Sequence, residues 1–154
     1  MTTNLGWRGT YEGGELVRPL TFYAQSMTSR VANITFDARD PIAQAHWWAR
    51  VVDDFHLVPE GEMSEEDAEL RGPGGRSLEF IKVNDPKVVK NRVHLCLRPV
   101  GSTCDAEVER IVALGATVVD DRRGLVDGGW VVLADPEGNE FCVLRTSAED
   151  AGIV

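Results

Sequence analysis

Trp130-Val-Val-Leu-Ala-Asp-Pro-Glu-Gly-Asn-Glu-Phe-Cys-Val-Leu144 reads as two apolar strands around the tight turn Asp135-Pro136-Glu137-Gly138-Asn139. Upstream, Glu69-Leu-Arg-Gly-Pro-Gly-Gly-Arg-Ser-Leu-Glu-Phe-Ile81 follows the same plan around its own turn, Gly72-Pro73-Gly74-Gly75. At one constant offset Pro73 falls on Pro136, Gly75 on Gly138, Leu78 on Phe141, Glu79 on Cys142 and Phe80 on Val143. Internal repetition dictates architecture, because each copy must fold as the same supersecondary unit. The chain is one unit used twice.

The rest of each copy extends that plan. The first opens with the apolar strand Val31–Phe36 and continues into a helix started by Asp40-Pro41 and running through Trp47, Trp48, Val51 and Val52. Asp as a cap followed by Pro is a helix start, since Pro lacks only an N–H that would be unpaired there. The second opens with Arg92–Leu97, followed by a helix from about Thr103 with Val108, Ile111, Val112 and Leu114 on its apolar side. Gly115 then ends the helix, where a left-handed residue is wanted, and Ala116–Asp120 leads to the Trp130 hairpin. Each copy is β-α-β-β-β. The expected organisation is an extension over 1–29, a single domain over 30–146 (module one 30–83, linker 84–91, module two 92–146) and a tail over 147–154. Residues 1–26 are rich in Gly and aromatics, suggesting an extra hairpin or an arm, and Met27 offers an alternative start.

The paired units and the ending Asp135-Pro-Glu-Gly-Asn-Glu-Phe141 resemble the vicinal oxygen chelate superfamily. It includes glyoxalase I, bleomycin-resistance proteins, fosfomycin-resistance transferases and extradiol dioxygenases. The Asp40-Pro41…Trp47-Trp48 opening and Val89-Lys-Asn-Arg-Val-His-Leu95 are most similar to its glyoxalase-like domain branch. The resemblance covers about residues 30–146. It implies an α+β fold in which two tandem βαβββ modules form a curved mixed sheet with a cleft. It implies less about reaction, because one fold hosts many chemistries.

Composition fits that class. With 154 residues, 43% apolar, the chain is long enough for one real core. No run approaches the roughly 20 apolar residues that span a bilayer, and the opening lacks the basic-then-apolar order of a signal peptide. Three cysteines (Cys96, Cys104, Cys142) suit a reducing cytoplasm better than a disulfide framework. A net charge of −9 argues against nucleic acid, whose phosphates would repel it. The acidic run Glu60–Glu69 reads as a solvated face. Gly72–Gly75 lacks the Lys-Ser/Thr of a phosphate loop and reads as a turn.

Strand alternation sorts candidate site residues from core. Ile34, Phe36, Leu78, Phe80, Val93, Leu95, Leu97, Phe141 and Val143 form apolar sets expected under the helices. The opposite sets bring Asn33, Glu79, His94 and Cys142 toward one cleft, with Thr35, Cys96, Arg98 and Trp130 as further lining. The resemblance implies that Asn33, Glu79, His94 and Cys142 occupy the four metal-ligand positions of the superfamily, usually His, Gln or Glu. Glu79 and His94 are good ligand types, Asn33 is a weak donor, and a Cys142 thiolate suits zinc but not Mn²⁺ or Mg²⁺. No cofactor is therefore expected, zinc or another divalent metal being the alternative. Trp47 and Trp48 point about 100° apart on a helix and are not expected both to be fully core. Trp130 could stack a planar ligand or simply pack. His46 and His56 have no evident partner.

Two functions fit this set. One is a lyase, isomerase or dioxygenase-like enzyme with Glu79 as base and His94 as acid. The other is a binding protein of the bleomycin-resistance type that traps a small molecule without breaking a bond. In either, a homodimer is expected, because exposed sheet edges are usually covered.

Overall fold

The computed structural model of the chain describes residues 10–12, 15–17, 29–124, 129–146 and 149. The chain divides into two compact units, Met1–Val31 and Ala32–Val154. In the first, β1 (Thr10–Glu12) pairs antiparallel with β2 (Glu15–Val17), placing Tyr11 opposite Leu16. The composition of this segment leaves a hairpin and an arm as alternatives, and these six residues form a hairpin.

The second unit contains the repeat. Module one runs β3 (Asn33–Ala38), α1 (Pro41–Trp48), β4 (His56–Leu57), β5 (Asp67–Arg71) and β6 (Ser77–Lys82), with sheet order β3-β6-β5-β4. Module two runs β7 (Cys96–Leu97), α2 (Cys104–Ala113), β8 (Thr117–Asp121), β9 (Trp130–Ala134) and β10 (Glu140–Leu144), ordered β7-β10-β9-β8. In each sheet the first strand lies parallel to the last and the remaining neighbours are antiparallel. The α+β class and the doubled βαβββ plan are as the sequence predicts. Among the described residues no helix is long and apolar enough to cross a membrane.

Local chemistry sets the ends of the elements. The Asp40 side chain accepts from the Ala43 N–H and caps α1, and Thr103 does the same for Ala106 at the start of α2. Gly115 follows α2 with φ of 109°, a left-handed conformation that a side chain would strain. The predicted strand Arg92–Leu97 shortens to Cys96–Leu97. At Asn91 the backbone N–H is taken by the Glu140 carboxylate and the carbonyl by the His94 ring, so the chain bends before it can pair. Val93, in that bend, is 76% exposed rather than under a helix, and Ile34 on the edge strand β3 is 38% exposed.

The equivalent residues Leu78 and Phe141, and Phe80 and Val143, are all fully buried in one core shared by both modules. Trp47 and Trp48 correct the expectation set out above. They are 7% and 0% exposed, so both belong to the core. Helix α1 packs on β5 and β6 of its own sheet while module two supplies cover on another side. Phe141 lies edge-on to both rings, at 6.0 and 5.1 Å. The Trp47 indole N–H donates to the Leu114 carbonyl and that of Trp48 to the Asp135 carboxylate. Two directions 100° apart are both buried because two modules, not one, cover the helix.

The second hairpin turn completes this joint. Asp135, buried, accepts from the Glu137 and Asn139 backbone N–H groups and from the Asn139 side chain. Glu137 reaches across to accept from the backbone N–H groups of Arg39 and Asp40, at the start of α1. A carboxylate at a helix N-terminus is favoured by the unpaired N–H groups there. The turn at Gly72–Gly75 forms with positive φ at Gly74 and Gly75 and carries no comparable side chains.

Candidate functional site

Alternation places Asn33, Thr35 and Glu79 on the side of the first sheet away from α1. Pairing in register sets Thr35 beside Glu79, and Glu79 beside Glu69. The Asn33 amide donates to the Glu79 carboxylate at 2.5 Å and to the Thr35 hydroxyl at 3.2 Å. The Thr35 hydroxyl lies 3.4 Å from the same carboxylate oxygen. Asn33 and Thr35 are exposed and Glu79 is half-buried. The result is a carboxylate held in place by side chains of the adjacent parallel strand.

The second sheet presents different chemistry on its helix-free face. Cys142 lies directly beside Cys96 on β7 and Val132 on β9, and Leu144 beside Trp130. Cys96 is exposed, whereas Cys142 is 6% exposed. Burial, reinforced by the neighbouring Cys96, pushes the Cys142 thiol up to about 11, against a weaker opposite pull from Lys90 and Arg122. It is a protonated thiol at neutral pH. Trp130 does not offer a bare ring: the Arg122 guanidinium lies 5.6 Å from its centroid, held by Asp120 at 2.6 Å. The Arg98 guanidinium donates to the Arg145 carbonyl.

His94 is half-buried, with Nε2 2.9 Å from the Asn91 carbonyl. A carbonyl only accepts, so that nitrogen carries the hydrogen. The structure thus joins Asn33, Thr35 and Glu79 into one group and Cys96 and Cys142 into another, while His94 bonds within its own loop. Among the described residues no three or more His, Cys, Asp or Glu side chains are arranged to hold a metal ion. The donors do not fit one as they stand. Asn33 turns an N–H toward Glu79, Cys142 is a buried thiol, and one His94 nitrogen is engaged as a donor.

Two cavities open beside Ile34 of β3. One, of about 700 Å³, is lined by residues including Thr35, Asp37, Lys87 and Glu140. The other, of about 840 Å³, is lined by residues including Cys96, Arg98 and Arg76. Ile34 and Leu95 line both and form the partition. Neither cavity is lined by Asn33, Glu79, His94, Cys142 or Trp130.

Glu140 has a role that alternation alone does not reveal. Its carboxylate meets the Lys87 ammonium at 2.9 Å and the Asn91 N–H at 2.9 Å, fastening the 84–91 linker to β10. Burial works to raise its pKa, but these two bonds outweigh that and hold it below the ordinary glutamate value. The sequence signal was a charged residue on the same register as Cys142, beside a linker carrying lysines.

The family model described as a glyoxalase-like domain matches residues 33–144. Among curated proteins no sequence matches the chain. Solved structures do. A glyoxalase/bleomycin resistance protein/dioxygenase family enzyme from Burkholderia phytofirmans is 20% identical, with a TM-score of 0.60 over 75% of this chain and 98% of that one. A mutant of the fosfomycin resistance protein FosX from Listeria monocytogenes, complexed with Mn(II) and dihydroxypropylphosphonic acid, is 17% identical. Its TM-score is 0.61, over 80% of this chain and 95% of that one. A glyoxalase/dioxygenase from Nostoc punctiforme is 17% identical with a TM-score of 0.58, over 84% and 97%. At these identities the likeness is one of fold.

Proposed function

Because the chain belongs to the glyoxalase-like domain family, we propose that it binds a small molecule in the cleft between its modules, on the helix-free face, without a metal ion. Glu79, bonded to the Thr35 that lines the cavity of about 700 Å³, is the anchor at the edge of that cavity. The carrying observation is the Asn33–Glu79–Thr35 group, which fixes a carboxylate on an accessible sheet face. A carboxylate held in place by an amide and a hydroxyl is suited to a cationic ligand or one rich in N–H and O–H groups. The net charge of −9 draws such ligands in.

The arrangement favours sequestration over catalysis, because Glu79 and His94 bond to separate partners rather than to each other. In the enzymatic form of this reading, lyase or isomerase chemistry, Glu79 would take a proton and His94 return one. The Mn(II) in the FosX neighbour supports a metal-dependent alternative, but a buried thiol at Cys142 and an amide at Asn33 are poor ligands for that hard cation. A homodimer is part of the proposal, since β8 is an edge strand with Val118 and Val119 exposed. A cytoplasmic setting suits its free cysteines.

The test is a thermal-shift and calorimetric screen of planar cationic small molecules in the presence of chelator, with Glu79→Gln alongside. Ligands that stabilise the wild type should lose roughly tenfold or more in affinity with Glu79→Gln, the worth of a charge-assisted hydrogen bond. Unchanged affinity in Glu79→Gln would contradict the anchor, and turnover of a ligand would return the protein to the enzymes. Light scattering should report a dimer at micromolar concentration.

A further inference from the structure

We infer that Cys96 and Cys142 form a reversible oxidation site for hydroperoxides, closing to a cross-strand disulfide on the helix-free face of module two. Three observations carry it. The two residues are register partners in the parallel pair β7/β10, so their side chains leave the same face side by side. Parallel neighbours stand roughly 4.8 Å apart, within the window of roughly 4.4–6.8 Å that a disulfide spans between Cα atoms. Cys96 is exposed and Cys142 is buried, which orders the chemistry: an oxidant meets Cys96, and Cys142 waits beside it.

Position makes the pairing selective. The third thiol, Cys104, lies on α2, where its sulfur contacts the Val143 carbonyl within the core. Val143 and Cys142 are adjacent in a strand and point to opposite faces, so Cys104 is on the wrong side of the sheet to compete. Closing the bond requires the Cβ atoms to approach to about 4 Å. Strand β7 is two residues long and forms the edge of its sheet, so it can shift by that small amount.

The Cys96 sulfur attacks the terminal hydroperoxide oxygen, and the S–O bond forms as the O–O bond breaks. The alkoxide (hydroxide, for hydrogen peroxide) takes up the proton that the Cys96 thiol gives up and leaves as alcohol or water. Cys96 becomes a sulfenic acid. The Cys142 sulfur then attacks the Cys96 sulfur, the S–S bond forms and the S–O bond breaks, and hydroxide departs with the Cys142 proton as water. One peroxide is reduced and two thiols are oxidised. This site is independent of ligand binding at Glu79.

The experiment is titration of the intact wild-type protein with hydrogen peroxide, followed by mass spectrometry, thiol counting under denaturing conditions and peptide mapping. The expected result is loss of the mass of two hydrogens, a fall from three free thiols to one, and a peptide joining Cys96 to Cys142, all reversed by dithiothreitol. Cys104→Ser should behave as the wild type, and Cys142→Ser should stop at a Cys96 sulfenic acid that dimedone traps. Wild-type protein in which Cys96 proceeds to sulfinic acid at the rate seen in Cys142→Ser, without the cross-linked peptide, would overturn the proposal. So would a disulfide between two chains.

Discussion

Glu79 and Cys142 occupy the same position in the two copies of the repeat, and almost everything around them differs. Glu79 stands on a polar, accessible face and is held by an amide and a hydroxyl from β3. Cys142 is enclosed beside Val132 and Cys96, and burial keeps it a thiol. One residue away, Leu78 and Phe141 have changed in size but not in character, and both remain fully buried. Duplication constrained the helix side through packing and left the other side free to diverge. The two turns differ in the same manner: Gly72–Gly75 only reverses the chain, while Asp135–Asn139 also fastens module two to α1.

The largest expected effect is at the paired core positions. Phe141→Ala should cost about 4 kcal/mol and Leu78→Ala about 3 kcal/mol by urea denaturation. Phe141 is expected to cost more because it also packs on Trp47 and Trp48 of the other module. Equal costs would mean that the inter-module contact adds nothing. Next come the turns. Asp135→Ala leaves Trp48 and the turn N–H groups without their acceptor and should cost about 3 kcal/mol. Pro73→Ala should cost less than about 1 kcal/mol. A costly Pro73→Ala would erase the distinction between the turns.

The smallest effect concerns the linker. Glu140 has a folded pKa below its ordinary value, so the stability it contributes is present above the unfolded carboxylate pKa and is lost as pH falls through the folded one. Glu140→Gln should cost about 1 kcal/mol at neutral pH. The difference from wild type should disappear as pH falls below about 4. A difference that persists at low pH would place the effect in packing rather than in the Lys87 and Asn91 bonds.

The fold was legible because its signals are local or repetitive. Asp40-Pro41, Thr103 and Gly115 mark helix ends through chemistry within a few residues, and the offset between Leu78 and Phe141 carries the duplication. The joint between modules was not legible. Burial of both Trp47 and Trp48 depends on Phe141 and Asp135, which are distant in sequence, and a turn motif does not say what its carboxylates will reach. Strand registers fixed which face Asn33, Glu79 and Cys142 share with their neighbours. They could not show that Asn33 would bond Glu79, that His94 would turn to Asn91, or that β7 would keep only Cys96 and Leu97.

The divergence of Glu79 from Cys142 has its sharpest consequence in metal binding, since a shared ligand set would need both copies to supply donors. Elemental analysis of the purified protein, with calorimetric titration of zinc and manganese chlorides into the chelator-treated chain, tests this directly. Substoichiometric metal and no saturable binding at Glu79, His94 and Cys142 are the expected results. One zinc per chain, lost alike in His94→Ala and Cys142→Ala, would contradict it and make the two faces a single metal centre.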